Sequence, residues 1–344
     1  MSSSALSLQL RRIVSSSSRS SCVFSSRRAF STTLSRDATW GFIGLGQMGY
    51  PMAKNLRAKI PKEDTLVICD VNAEVAKKFV AEEQGQKVEI ATSPLEVAQK
   101  SETIVSSLPE PRHVKDVFHL ILKDGLPKLS QDRLFIDCST IDPVSSREVA
   151  NAVHSTGAGK FVDAPMSGGV VGATAGTLTF MLGASSKTPG LAERAEGALL
   201  LMGKKVWRLG EQGAGLSGKL ANNYLLAISN IAVAEAMNLG IRWGLDAKVL
   251  GQMISSSTGR CWSADVNNPV AGVIDGSPAS RDYAGGFGVS LMKKDLRLAV
   301  EAAKEAGTPL ELAPKAQEVY DATEAGHAGK DFSVVYKYLQ EKSK

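Results

Sequence analysis

The chain has 344 residues, 43% of them apolar, with 40 basic and 35 acidic side chains. That length suits two domains and a sizeable core, and no charge-free apolar run reaches about 18 residues, which argues against a membrane span. The net charge of +5 is local. Residues 1–36 hold six arginines and no acid, and the remainder carries 34 basic against 35 acidic residues, so overall charge gives a nucleic-acid partner no support.

Residues 1–36 are rich in Ser and Arg and free of Asp and Glu. An organelle transit peptide has this composition, whereas a secretory signal has a continuous apolar stretch. Arg28-Ala29-Phe30-Ser31 resembles a mitochondrial processing site. A disordered basic tail on a cytosolic protein has the same composition. We treat residues 1–36 as a disordered leader outside the fold.

The fold starts at a short apolar strand, Trp40 to Ile43. Gly44, Gly46 and Gly49 follow with G-x-G-x-x-G spacing, and a helix is expected over Met52 to Ala58. Gly44 permits a tight turn, Gly46 lets a pyrophosphate reach the backbone, and Gly49 lets the helix pack closely on the strand. A helix N-terminus offers free N–H groups to phosphates. A second strand, Leu66 to Cys69, ends at Asp70, 21 residues beyond Gly49. An acid at about 20 residues hydrogen-bonds an adenosine ribose. It repels a 2′-phosphate, so the pattern favours NAD over NADP.

The chain continues with a helix (Ala73 to Ala81), a short strand (Val88 to Ala91) and a short helix (Pro94 to Gln99). A strand over Thr103 to Ser107 runs into Leu108-Pro109, and His113 to Leu122 reads as a helix. Leu134 to Asp137 is a strand followed by Cys138-Ser139-Thr140. Asp142 is suited to cap a helix over Pro143 to His154, before a strand at Phe161 to Asp163. The alternation predicts a mostly parallel, doubly wound sheet with ligands at the strand carboxyl ends. The Gly-rich stretch Asp163 to Gly176 reads as a loop whose N–H groups suit a carboxylate or phosphate, or simply as a flexible connection. A strand (Thr177 to Leu182), a helix (Pro189 to Met202) and a strand (Val206 to Arg208) follow.

From Gly210 onward helices take over. One long helix, Leu216 to Arg242, precedes Ala247 to Ser255, a Gly/Ser/Asn/Pro-rich segment from Ser256 to Arg281, and helices over Leu291 to Ala306, Ala313 to Ala325 and Ser333 to Lys342. The expected organisation is a leader (1–36), a Rossmann-type cofactor domain (37–210) and an all-helical domain (211–344) opened by the long helix. Cys69, Cys138 and Cys261 are too scattered for a zinc pattern, and the four histidines form no ligand set for a metal.

Lys219 and Asn223 are spaced i, i+4 on the long helix and share a face. Asn222 lies about 100° away. A lysine desolvated beside the crevice loses its proton more readily and can serve as a general acid or base. The same pattern also describes a snorkelling surface lysine.

Four stretches decide between these. Gly41-Phe42-Ile43-Gly44-Leu45-Gly46-Gln47-Met48-Gly49, Asp163-Ala164-Pro165-Met166-Ser167-Gly168-Gly169, the segment Gly213 to Asn223, and Gly286-Phe287 through Leu291-Met292 to Lys294-Asp295-Leu296 together resemble the 3-hydroxyacid dehydrogenase family. Ser256 to Ser263 is similar to the mitochondrial branch that acts on 3-hydroxyisobutyrate. The resemblance implies that Gly44, Gly46, Gln47, Met48, Gly49 and Asp70 hold NAD, with Leu108, Pro109, Thr140 and Lys294 lining the nicotinamide side. It implies that Ser167, Gly168 and Gly169 bind the carboxylate of a small 3-hydroxy acid, and that Lys219 is the acid/base with Asn223 as its partner. Tartronate or succinic semialdehyde are alternative substrates, 6-phosphogluconate is a further one for which the helical domain is short, and a non-catalytic NAD-binding relative is the remote alternative. His113 stands where relatives often carry Asn, and Met166 where they carry Val. A homodimer or homotetramer in the mitochondrial matrix is expected, part of the long helix packing across a subunit interface.

Overall fold

A computed structural model describes residues 37–127 and 132–342. The leader, and its expected disorder, lie outside the described residues. The sheet half runs β1 (Thr39–Ile43), α1 (Gly49–Lys59), β2 (Thr65–Cys69), α2 (Ala73–Glu82), β3 (Val88–Ile90), α3 (Pro94–Lys100), β4 (Thr103–Ser106), α4 (Pro111–Leu122), β5 (Leu134–Asp137), α5 (Pro143–Ser155) and β6 (Lys160–Asp163). It ends with β7 (Met166–Ser167), α6 (Gly169–Ala175), β8 (Leu178–Gly183), α7 (Leu191–Leu200) and β9 (Gly203–Gly210). The helical half contains α8 (Ala214–Arg242), α9 (Ala247–Ser256), α10 (Trp262–Asp265), α11 (Val289–Glu305), α12 (Ala313–His327) and α13 (Val335–Lys342).

Nine strands among the described residues form one sheet in the order β3-β2-β1-β4-β5-β6-β8-β7, with β9 on β8. β1 to β6 pair in parallel. Helices cover both faces, which explains the unbroken apolar strands. Successive side chains of β2 enter opposite cores: Leu66 and Ile68 join Phe42, Ile136 and Phe180, while Val67 joins Ile104, Phe135 and Phe161. The strand order turns back between β1 and β4, so the crevice opens at their carboxyl ends.

The structure departs from the sequence pattern in places. Residues 163–176 are not simply a loop. Met166–Ser167 pairs antiparallel with β8, and Gly169–Ala175 forms α6. Glycines hide this helix from propensity, and its packing on α1 supplies the support: Asn55 Nδ2 donates to Ala173 O at 2.8 Å. α1 begins at Gly49 rather than Met52. β9 runs the full Gly203–Gly210 because its pairing with β8 extends beyond its apolar residues.

α8 has 29 residues and is long and apolar enough, by length and composition, to cross a membrane, with 33% of its most apolar window buried. Its buried face nevertheless carries Lys219, Asn223 and Asn230. Asn230 Nδ2 donates to Phe332 O at 3.1 Å, and Tyr320 Oη donates to Ala227 O at 3.0 Å, so α8 is the central post of the helical core.

Candidate functional site

The first wall is the β1–α1 turn. Gly44 has φ +95°, and a Cβ there would collide with the Ser107 carbonyl. A Cβ on Gly49 would collide with the Gly44 carbonyl. At Gly46 nothing lies within 4 Å of a built Cβ, so this exposed main chain is open to a ligand. Gln47 is exposed, and Met48 is the residue from which α1 starts. Asp70 closes the turn: Leu45 N donates to its Oδ2 at 2.6 Å and Asn72 N to its Oδ1 at 2.8 Å. Close main-chain approach, an open glycine, a helix N-terminus and a fixed carboxylate at the end of β2 fit the pyrophosphate and ribose of a dinucleotide.

The second wall lies at the ends of β4 and β5. Leu108 N donates to Ser139 Oγ at 2.9 Å, joining the Leu108-Pro109 turn to the segment before Thr140. Lys294 of α11 reaches both: its Nζ donates to Thr140 O at 2.9 Å and Pro109 O at 3.3 Å. His113 sits in the first turn of α4, where its buried Nδ1 has no partner among the described residues.

Lys219 is 7% exposed, on the second turn of α8. No hydrogen bond engages its ammonium among the described residues. Burial pulls its pKa below the ordinary lysine value, nearby Asp295 opposes that shift, and Lys294 adds to it. This excludes the snorkelling arrangement. Asn223 shares the face but is not bonded to Lys219. Its Nδ2 donates to Asp295 Oδ2 at 2.6 Å, and its Oδ1 accepts from Asn222 at 3.0 Å. Asp295 also lies 3.3 Å from Lys294. One cluster thus joins Lys219, Asn223, Lys294 and Asp295 and touches Pro109 and Thr140.

Ser167, Gly168 and Gly169 stand apart from this cluster in hydrogen bonding. Ser167 is paired with Thr179 of β8, and Gly168 (φ +131°) turns the chain into α6. No hydrogen bond joins the three to Lys219 or Asn223 among the described residues. The site residues that the sequence pattern underweights are Asp295, 72 positions from its Asn223 partner, and the buried acids Asp137 and Asp163. An acid that directly ends an apolar strand is the available signal for the last two.

Comparison with known proteins places this geometry. Residues 39–210 match the NAD-binding domain of 6-phosphogluconate dehydrogenase, and residues 213–339 match a family described as NAD-binding of NADP-dependent 3-hydroxyisobutyrate dehydrogenase. The chain is 47% identical over 305 residues to the rat protein "3-hydroxyisobutyrate dehydrogenase, mitochondrial", covering 88% of this chain and 87% of that one. The human protein of that name is 44% identical over 305 residues, covering 88% and 86%. The solved 3-hydroxyisobutyrate dehydrogenase of Mycobacterium tuberculosis, studied with L-serine, superposes with a TM-score of 0.80 at 35% identity, covering 89% of this chain and 100% of that one. Sequence and fold agree along nearly the whole described length: the chain belongs to the 3-hydroxyisobutyrate dehydrogenase family of NAD(P)-binding oxidoreductases.

Proposed function

We propose that the chain oxidises 3-hydroxyisobutyrate to methylmalonate semialdehyde with NAD, a step of valine breakdown, and that Lys219 is the base. The observation that carries this is a buried lysine, free of hydrogen bonds among the described residues, beside Asp295 at the mouth of a dinucleotide crevice. When bound, NAD supplies the hydride acceptor. Gly44, Gly46, Gln47, Met48, Gly49 and Asp70 would hold its pyrophosphate and ribose, and Leu108, Pro109, Thr140 and Lys294 its nicotinamide end. Asp70 favours NAD over NADP because its carboxylate would meet a 2′-phosphate.

Lys219 takes the proton of the substrate hydroxyl. Burial keeps its amine neutral at a lower pH than an exposed lysine allows. Asn223 holds Asp295 against it, so the charged product of proton transfer has a carboxylate at hand. Ser167, Gly168 and Gly169 receive the substrate carboxylate; Ser167 Oγ makes no hydrogen bond among the described residues and is open to a ligand. The mycobacterial relative was studied with L-serine, itself a 3-hydroxy acid, which agrees with this substrate class.

The leader directs the chain to the mitochondrial matrix, in keeping with relatives named mitochondrial. Exposed Leu225, Leu239 and Trp243 along α8 support a homodimer or homotetramer, which the mass in solution tests. NADH formation at 340 nm with a panel of 3-hydroxy acids tests the activity. Preference for 3-hydroxyisobutyrate with NAD is the expected result, and NADH consumption with tartronate or succinic semialdehyde, without oxidation of 3-hydroxyisobutyrate, would replace the substrate while keeping the chemistry.

A further inference from the structure

β4, β5 and β6 finish at one register. Ser106 lies opposite Asp137, and Asp137 lies opposite Asp163. Both aspartates are 0% exposed. Among the described residues neither has a cationic partner: every hydrogen bond to them comes from a hydroxyl or a main-chain N–H. Two acids buried side by side without counter-charges are costly, and burial pushes both carboxyls up, Asp163 to about 7. Such an arrangement calls for a use.

The two acids hold different things. Asp137 Oδ1 accepts from Ser106 Oγ at 2.8 Å and from Ser139 Oγ at 2.6 Å. Because Ser139 donates its hydroxyl hydrogen to Asp137, its oxygen is oriented to accept Leu108 N at 2.9 Å. Asp137 therefore ties the end of β4 to the end of β5, directly beneath Leu108-Pro109 and Thr140. Asp163 faces the helical half. Gly213 N donates to its Oδ1 at 2.6 Å and Leu216 N to its Oδ2 at 2.9 Å. α8 has no side-chain cap of its own, since Gly213 begins it. A carboxylate from β6 fills that role, 50 residues away in sequence from the residue it caps. Lys219 lies three residues beyond Leu216 on the same helix. The neighbouring chain makes room for this acid: a Cβ on Gly183 would collide with the Asp163 carboxylate.

We propose that Asp137 and Asp163 are positioning residues with separate tasks: Asp137 sets the cofactor wall of Leu108, Pro109 and Thr140, and Asp163 sets the end of α8 that presents Lys219. This rests on the roles given above to that wall and to Lys219.

Asp137→Asn and Asp163→Asn in the full chain test it, because a merely structural role moves every parameter together while two positioning roles split them. Three readouts are taken: NAD Kd, kcat, and the pH dependence of Lys219 labelling by trinitrobenzenesulfonate, read by peptide mass spectrometry. Asp137→Asn is expected to weaken NAD binding by about tenfold or more and leave Lys219 labelling unchanged. Asp163→Asn is expected to keep NAD Kd within about twofold, lower kcat by about tenfold or more, and shift Lys219 labelling. Should Asp163→Asn fail to fold, Gly183→Ala presses on the same carboxylate from β8 and is expected to give the same split. Parallel losses of Kd and kcat in both variants, or no change in either, would overturn the proposal. Kd and labelling need no substrate, so an inactive wild type would remove the substrate assignment and leave the test to those two readouts, overturned if Asp137→Asn and Asp163→Asn move both alike.

Discussion

The two halves of the molecule contribute to the site by opposite means. The sheet half offers main chain: the open backbone at Gly46, the carbonyls of Pro109 and Thr140, and N–H groups fixed by Asp70. The helical half offers side chains: Lys219, Asn223, Lys294 and Asp295, each projected from a helix. A site built from backbone is lost when an atom is added, and one built from side chains is lost when an atom is removed. The cofactor half should therefore be sensitive to methyl groups and the acid/base half to truncation.

The largest effect tests the truncation side. Lys219→Ala is expected to lower kcat by about 10³-fold with NAD Kd unchanged, since general-base contributions run to about 10²–10⁴. Lys219→Met fills the same volume and should not lower Tm, because a desolvated lysine binds its proton less well folded than unfolded and adds no stability at neutral pH. A fall in Tm would show that the lysine is structural.

The next effect tests addition. Gly49→Ala forces a methyl onto the Gly44 carbonyl and should cost about 1–3 kcal/mol of stability, lowering Tm and weakening NAD with it, while Gly46→Ala, which meets nothing in the protein, should weaken NAD but leave Tm alone. Equal Tm losses would erase the distinction between a packing glycine and a ligand-facing one.

A smaller effect is electrostatic. As the proposed base, Lys219 must be neutral to act, so kcat should fall as pH drops through the Lys219 pKa, which lies below the usual lysine value. Asp295 raises that pKa, so Asp295→Asn should move the acid limb of the pH profile to lower pH. A shift to higher pH would contradict the geometry. The smallest expected effect is at Asp70. Asp70→Ser should relax the preference for NAD over NADP by about tenfold, roughly 1.4 kcal/mol, read as the ratio of kcat/KM values.

The same division explains what could be read from the sequence. The glycine turn was legible because its elements are consecutive: strand, Gly44, Gly46, Gly49, helix. The parallel strands were legible as unbroken apolar runs, and the face shared by Lys219 and Asn223 as helical spacing. Local spacing is silent about partners brought together by the fold. It does not show that Asn223 bonds Asp295 rather than Lys219, or that Asp163 caps α8. α6 was hidden for another reason: its glycines argue against a helix, and its packing on α1 and β8, with Asn55 bonded to Ala173, supports it instead.

The room left around Asp163 has a consequence for how this chain can change. Positions 163 and 183 share one small volume, occupied by a carboxylate at the first and by glycine at the second, while Gly215 is held to glycine by the Met181 carbonyl. Positions 163 and 183 form a single unit of substitution. Alanine at 183 collides while Asp163 remains, alanine at 215 meets the Met181 carbonyl whatever stands at 163, and a smaller residue at 163 leaves α8 uncapped unless a neighbour supplies a new acceptor. Single changes at these positions are therefore each disfavoured, while Gly183→Ala paired with Asp163→Ser costs less than the sum of its parts. An engineer redesigning the crevice can vary the exposed glycine at 46 one residue at a time, but must redraw 163 and 183 together.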